Sequence, residues 1–404
     1  MNKLLMKFMI IRFFSSLGDQ ILLFTIPLLV YKATHNIAMS GLAFFIEWLP
    51  RVLSLPFAGS LTDQFGGRRI YLFADFIRAM MCILGFILIN LLPHFTFYIA
   101  SLLMGGCAFF YAQAFIAQES TIPTMVASTD LHKAQSMIQT LEQTTLVVGP
   151  FVASVLSYYL PIADLLLVTS IVFIMGFVGM SLLKNFSVTN QQKKIRQHVL
   201  QDMCMGAHII FHNKKLIWLS VLTVIVNLIW GLALATGAAM VTGYFSKTTL
   251  DFGFIQTLCG ILSITVLLLT PIIINRMSIN FIGILSYGLI IAGGIAISLS
   301  SHYWIFGIGY LLIISMDGVF NIYIRTERAK IIPKEHLGKT IGLIVLINQL
   351  SIPLSGLLVA NFSSNFGVKN LYMIVSLLAG LFLILQLYQV YFKSRGSNIV
   401  VVQN

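Results

Sequence analysis

Residues 59–78 read Gly59-Ser-Leu-Thr-Asp63-Gln-Phe-Gly66-Gly67-Arg68-Arg69-Ile-Tyr-Leu-Phe-Ala-Asp75-Phe-Ile-Arg78. A glycine, an acid four residues on, two more glycines and two arginines make a tight turn rich in charge. On either side the chain stays apolar for long enough to cross a bilayer, which takes about 20 residues. The turn therefore joins two membrane spans. Asp75 and Arg78 stand one to two turns inside the second span, at the i,i+3 spacing where opposite charges meet on one helix face. Either of them can also reach Asp63 or the arginines. Such a network can lock two groups of helices together on one side of a membrane and release when they rock.

The rest of the chain has the same grain. Of 404 residues, 58% are hydrophobic and 9% charged, against about 25% charged in soluble domains. That is too little to clothe a soluble enzyme, and an integral membrane protein is the class that fits. Lipid forces each span to pair its own backbone groups, so the apolar runs read as helices. Twelve are predicted, at 8–33, 39–61, 70–91, 95–118, 134–159, 162–183, 214–244, 250–275, 279–300, 302–326, 338–360 and 370–392. The first is too long for a cleaved leader. The seventh exceeds one straight crossing, and Gly231, Gly237 and Gly243 predict a bend or tilt there. The all-α fold expected is two pseudo-symmetric six-helix bundles, 1–184 and 214–404. Between them lies a linker, 185–213, whose Val199, Met203, Ala207 and Ile210 recur at helical steps and predict an amphipathic helix on the membrane face.

The net charge of +12 needs no nucleic acid. With the N-terminus in the cytoplasm, twenty basic residues fall on the cytoplasmic side and three (Lys32, Lys247, Lys369) opposite, while Arg51 and Arg78 lie within spans. That asymmetry puts both termini in the cytoplasm. A multi-pass protein of the cell membrane, the bacterial inner membrane, is expected, working as a monomer. The four cysteines (Cys82, Cys107, Cys204, Cys259) stand far apart with no ligand spacing, so they read as packing residues. No metal site and no cofactor are expected.

The halves repeat. Ile122-Pro123 after span four matches Ile332-Pro333 after span ten, Leu131 matches Leu337, and Glu142-Gln143 falls on Asn348-Gln349 after a four-residue gap. Repeated bundles with a site at their interface are a common transporter plan.

The turn resembles the motif between helices two and three of the major facilitator superfamily. A wider string, Ser16-Leu-Gly18-Asp19 through Pro27 and Tyr31, then Leu49-Pro50, Pro56, Gly59, Asp63 and Asp75-Phe-Ile-Arg78-Ala79, resembles its drug:proton antiporter branch, which includes macrolide and enterobactin-type siderophore exporters. Gln64 and Gly67 depart from that motif, and the matching loop of the second half keeps only Asn275-Arg276. The resemblance implies a cytoplasmic gate of Gly59, Asp63, Gly66, Arg68, Arg69, Asp75 and Arg78. In span five, Val148 to Ser154 is similar to the antiporter motif, with Thr145, Ala153 and Ser154 where glycines are usual. Gly149 and Pro150 bend that helix, because proline removes a backbone donor. The bend points to export, and a simple packing kink is the other reading.

Ionisable groups within a membrane are costly and so mark function. Asp19 and Glu142 are the leading proton carriers, since a carboxylate kept from water can bind and release a proton in turn. Asp19 can instead bond to Arg51. Glu47 and Arg51, at i,i+4, are either a self-neutralising pair or part of the cavity. Asp317, near Asn321 and Arg325, is either a cavity acid or half of a second gate. Gln20, Gln113, Gln118, Gln139, Asn227, Trp230, Asn321 and Gln349 predict a roomy cavity of mixed character, although each alone also suits an interhelical hydrogen bond.

The function expected is a proton-coupled exporter of a small organic molecule, drug or siderophore. The alternative is an importer or facilitator of a metabolite or metal–siderophore chelate. A membrane receptor or assembly subunit, the third class, gains nothing from mid-membrane carboxylates. An ATP-driven pump is excluded within this chain, since Gly338-Lys339-Thr340 has Pro333 where a phosphate loop needs glycine.

Overall fold

The computed structural model describes residues 3–125, 131–183, 207–274, 276–332 and 337–400. Gly59 falls within the second helix, while the side chains of Asp63 and Gln139 lie outside that description, as does the predicted linker before residue 207. Twelve long helices carry the described chain: α1 (Lys3–Thr34), α2 (Ile37–Phe65), α3 (Gly67–Leu91), α4 (Thr96–Met125), α5 (Leu131–Tyr159), α6 (Leu165–Leu182), α7 (Lys214–Ala239), α8 (Thr249–Ile274), α9 (Ile279–Leu299), α10 (Tyr303–Ile331), α11 (Leu337–Phe366) and α12 (Val368–Val400).

Side chains set where these helices begin. Asn36 accepts from the Ala38 N–H, Asn213 from those of Lys215 and Leu216, and Ser278 from that of Phe281. Each satisfies a donor that the first helical turn cannot. Gly66 ends α2 and opens α3 at φ +84°, a backbone region that side chains resist. The long seventh span runs into a π-helical turn at Met240–Tyr244, where the predicted bend places Gly243.

Among the described residues, eleven helices are apolar and long enough to cross a membrane; α5 falls short. Its first half holds Gln139, Thr140, Glu142, Gln143, Thr144 and Thr145. Part of that polarity is met by α1: Thr145 shares a 2.8 Å hydrogen bond with Ser16, and Glu142 faces Arg12. The protein is a multi-pass membrane protein.

Within the first six helices, α1 packs on α4, α5 and α6, α2 on α4, and α3 on α4 and α6. In the second six, α7 packs on α10, α11 and α12, α9 on α10 and α12, and α8 on α10. The halves meet through α2 against α11 and α5 against α8. Exchanging the halves turns one of these pairs into the other, as a repeat requires.

Among the described residues, contacts between the halves gather towards the end away from the termini, the far end. A Cβ on Gly41 would lie 2.7 Å from the Gly356 carbonyl oxygen, so α2 and α11 touch backbone to backbone there. Small residues allow such approach where lipid offers no hydrophobic drive. Nearby, Ser157 bonds to Thr249 at 3.0 Å, and Phe24 stacks on Phe252 with ring centroids 5.4 Å apart.

Candidate functional site

Two charge clusters are held inside the first bundle. In one, Arg78 of α3 donates to Asp19 of α1 at 2.5 Å, to Ser15 at 3.0 Å, and to Asp75 one turn earlier on its own helix. Ser15 donates to Asp75 at 3.0 Å, and the guanidinium lies 4.5 Å from the Phe173 ring centre on α6. All three charged side chains are buried. Two carboxylates share one guanidinium, so the cluster is one positive charge short of neutral. In the other, Arg12, 1% exposed, faces Glu142 of α5 at 3.5 Å.

These placements change several expectations. The Asp75–Arg78 pair lies among α1, α3 and α6 rather than between the halves, because the Asp19 carboxylate draws Arg78 inward. Asp19 reaches Arg78, not Arg51. Glu47 and Arg51 form no ion pair: the Arg51 guanidinium lies 4.6 Å from the Trp48 ring centre and 4.0 Å from that of Tyr111. Two aromatic faces hold it as cation–π partners. Glu47 is 3% exposed, and its Oε1 has no hydrogen-bond partner. Gln113 and Gln118 are buried with their amides unpartnered, while Gln20 packs its Cβ against Gly149. Of the turn residues, Arg68 donates to the Met180 and Ser181 carbonyls at the end of α6 and Arg69 is exposed. Pro150 lies within α5.

A cavity of about 460 Å³ is lined by α7, α10 and α11 of the second half and meets the first half at Trp48 of α2. Its deep end, at mid-bundle, is a pair of tryptophans, one from each half. Trp48 and Trp230 meet edge to face, with centroids 5.9 Å apart at 87°. The walls carry Asn227, Asp317, Asn321, Asn348 and Gln349, and towards the terminal end Thr223, Arg325 and Arg328. Asn321 donates to Asp317 at 3.0 Å, and Asn227 donates to the Asn348 carbonyl at 2.9 Å. No Asp317–Arg325 ion pair forms among the described residues. An aromatic end, amide walls and a few charges suit a small organic molecule. A second hollow, about 500 Å³, lies between α1 and α6; Leu4, Ile10, Ile11, Leu182 and Leu183 line it with Lys7, and it holds none of this chemistry.

The family pattern described as Major Facilitator Superfamily matches residues 8–326. The chain belongs to the major facilitator superfamily. It is a transporter of small molecules across a membrane and not an enzyme. No curated protein sequence matches it. Solved structures share the fold at low identity. A nucleoside transporter, NupG, in mutant form is similar at TM-score 0.80 and 13% identity, over 95% of this chain and 98% of that one. A bacterial homologue of the iron transporter ferroportin is similar at 0.73 in its inward-facing state, with 14% identity over 95% and 98%. In its outward-facing state, with soaked iron, the score is 0.60, with 16% identity over 94% and 98%. A POT family transporter in complex with 5-aminolevulinic acid is similar at 0.71, with 14% identity over 96% of each chain.

Trp48, Thr223, Arg325, Arg328 and Asn348 line the cavity and were not among its predicted residues. The signal for the α10 arginines was present: Asp317, Asn321, Arg325 and Arg328 follow at steps of four, four and three, which is one helix face. Both arginines also belong to the basic residues at the cytoplasmic end of the span, and that charge pattern masks the cavity face. Arg12 was hidden in the same way.

Proposed function

We propose that this transporter is a proton-coupled exporter of small organic molecules, drug- or siderophore-like, working by alternating access. The observation that carries the reading is the cavity of the second half, which reaches the first half at Trp48 at mid-bundle, while among the described residues the contacts between the halves gather at the far end. With the basic loops in the cytoplasm, it opens where an exporter collects cargo. The higher similarity to the inward-facing ferroportin homologue supports the same state. Gly149 and Pro150 lie on α5, which forms one of the two main contacts between the halves, and this favours export. Asp19, sharing Arg78 with Asp75, and Glu142, beside Arg12, are the proposed proton carriers. A monomer in the bacterial inner membrane, both termini cytoplasmic, completes the proposal. Nucleosides and iron name two of the similar structures, so the cargo has to be read from the cavity rather than from the fold.

Inside-out vesicles holding the protein, with a pH-sensitive dye and a panel of dyes, drugs and catechol- or carboxylate-type siderophores, test this. A responding compound is expected to collapse an imposed proton gradient. Binding without proton movement at either gradient polarity would replace the exporter with a facilitator or importer.

A further inference from the structure

Among the described residues, Arg328 is a buried cation without an anion. It is 6% exposed; its Nη2 donates to Thr223 Oγ1 at 2.9 Å and to the Leu219 carbonyl at 3.4 Å, and its Nε has no partner. Those oxygens solvate the guanidinium without neutralising it. The neighbouring acid, Glu327, is taken by Lys215 and Lys330 at 2.7 Å each. The acid of the cavity, Asp317, accepts from Asn321 and forms no ion pair with either α10 arginine among the described residues. Arg325, one turn deeper and exposed, adds a second positive charge to the lining. A charge taken out of water is costly unless paired, and the described residues supply no such partner.

We propose that the cargo supplies it: the cavity takes an organic anion, a small molecule with a carboxylate beside a flat unsaturated ring. The carboxylate binds Arg328 and the ring lies against Trp230 and Trp48. This rests on reading the cavity as the transport site. Arginine suits the task because its planar fork meets a carboxylate with two parallel hydrogen bonds and keeps its charge at any physiological pH. The dimensions agree. Thr223, which holds Arg328, and Trp230 are seven residues apart on α7, about 10 Å along a helix, the reach of two fused rings and a carboxylate. Across the same cavity, Asn348 Oδ1 is buried and unpartnered, an acceptor for a ring N–H or hydroxyl.

The test is calorimetric titration of the full-length protein in phosphatidylcholine nanodiscs with 2-naphthoate and its neutral isostere 2-naphthamide. A charge-assisted pair predicts that naphthoate binds about tenfold tighter or more. Arg328→Gln is expected to abolish that preference while leaving naphthamide binding intact, and Arg328→Lys to keep part of it. Equal affinity for the two probes, no binding of either, or a preference that survives Arg328→Gln overturns the proposal. So does a preference that vanishes in phosphatidylglycerol nanodiscs, which would give Arg328 to a lipid headgroup. Substrate-driven proton movement in vesicles without anion preference would sink this inference alone. Anion preference in a protein that moves no cargo would sink the transport reading instead.

Discussion

Arg78 of α3 and Asp19 of α1 are joined by a 2.5 Å hydrogen bond inside the first bundle, with Asp75 on the same guanidinium. The relationship is unequal: Arg78 has two carboxylates, and each carboxylate has one arginine. Removing one member of a buried pair costs about 3–5 kcal/mol, because the other charge is stranded. Arg78→Ala strands two acids and is expected to cost at least that much, with little folded protein recovered. Asp19→Asn leaves a neutral Arg78–Asp75 pair and is expected to be far milder. Melting temperatures in detergent, followed by size-exclusion recovery, give the comparison; equal losses would refute the shared-cation account.

A proton on this cluster, or on Glu142, is the proposed link between gradient and cargo. Asp19→Asn and Glu142→Gln, singly and together, are expected to abolish pH-gradient-driven accumulation by reconstituted protein while downhill exchange of cargo persists. Undiminished accumulation in the double variant would show that neither acid carries the coupling proton.

Much of the fold was legible because lipid enforces it. Apolar runs of fixed length must be helices, and the loops between them sort by charge. The Asp75–Arg78 pairing was readable from its spacing, since both residues sit on one helix. The partners of Asp19 and Arg12 were not, because they are set by how α1 packs on α3 and α5, a relation no local pattern carries. Arg51 shows the other limit. Glu47 stands at the right step to pair with it, yet the Trp48 and Tyr111 faces hold the guanidinium, and Tyr111 comes from α4. The polar first half of α5 was legible only as a weak span; its partners on α1 explain why a helix of that composition is kept.

Gly41 and Gly356 hold α2 and α11 together at the far end. A Cβ on Gly41 would also meet Val359 at 2.6 Å, so a larger residue must push the helices apart. Overpacking costs about 1–3 kcal/mol, enough to shift a two-state balance by roughly five- to a hundredfold or more. Gly41→Val is expected to open the far end. A cysteine at Ser157, in the α5–α8 contact, would then label faster with a membrane-impermeant maleimide, and transport would fall. Unchanged labelling would mean that this contact does not hold the closed state.

Trp48 and Trp230 come from different halves, so their contact at the deep end of the cavity must change whenever the halves rock. An edge-to-face pair contributes about 0.5–1.5 kcal/mol beyond its buried area. Trp230→Ala is expected to weaken binding of an aromatic cargo roughly two- to tenfold by a loss of that size. Trp230→Phe should keep most of it. Equal affinity of both variants and the parent, by calorimetry, would remove the tryptophans from the site.

Glu47 is the residue whose burial is hardest to justify by stability alone. It is 3% exposed, makes no ion pair with Arg51, and its Oε1 has no partner. Burying a polar group without compensation costs about 1–3 kcal/mol on the protein-mutant scale, and glutamine in its place keeps the shape without the charge. Glu47→Gln is therefore expected to be at least as heat-stable as the parent. If transport survives as well, the acid is a tolerated defect; if transport is lost from a protein of equal or higher melting temperature, the carboxylate is kept for function. A clear fall in melting temperature would instead mean that Glu47 contributes a stabilising contact, and the account of an unpartnered acid would be wrong.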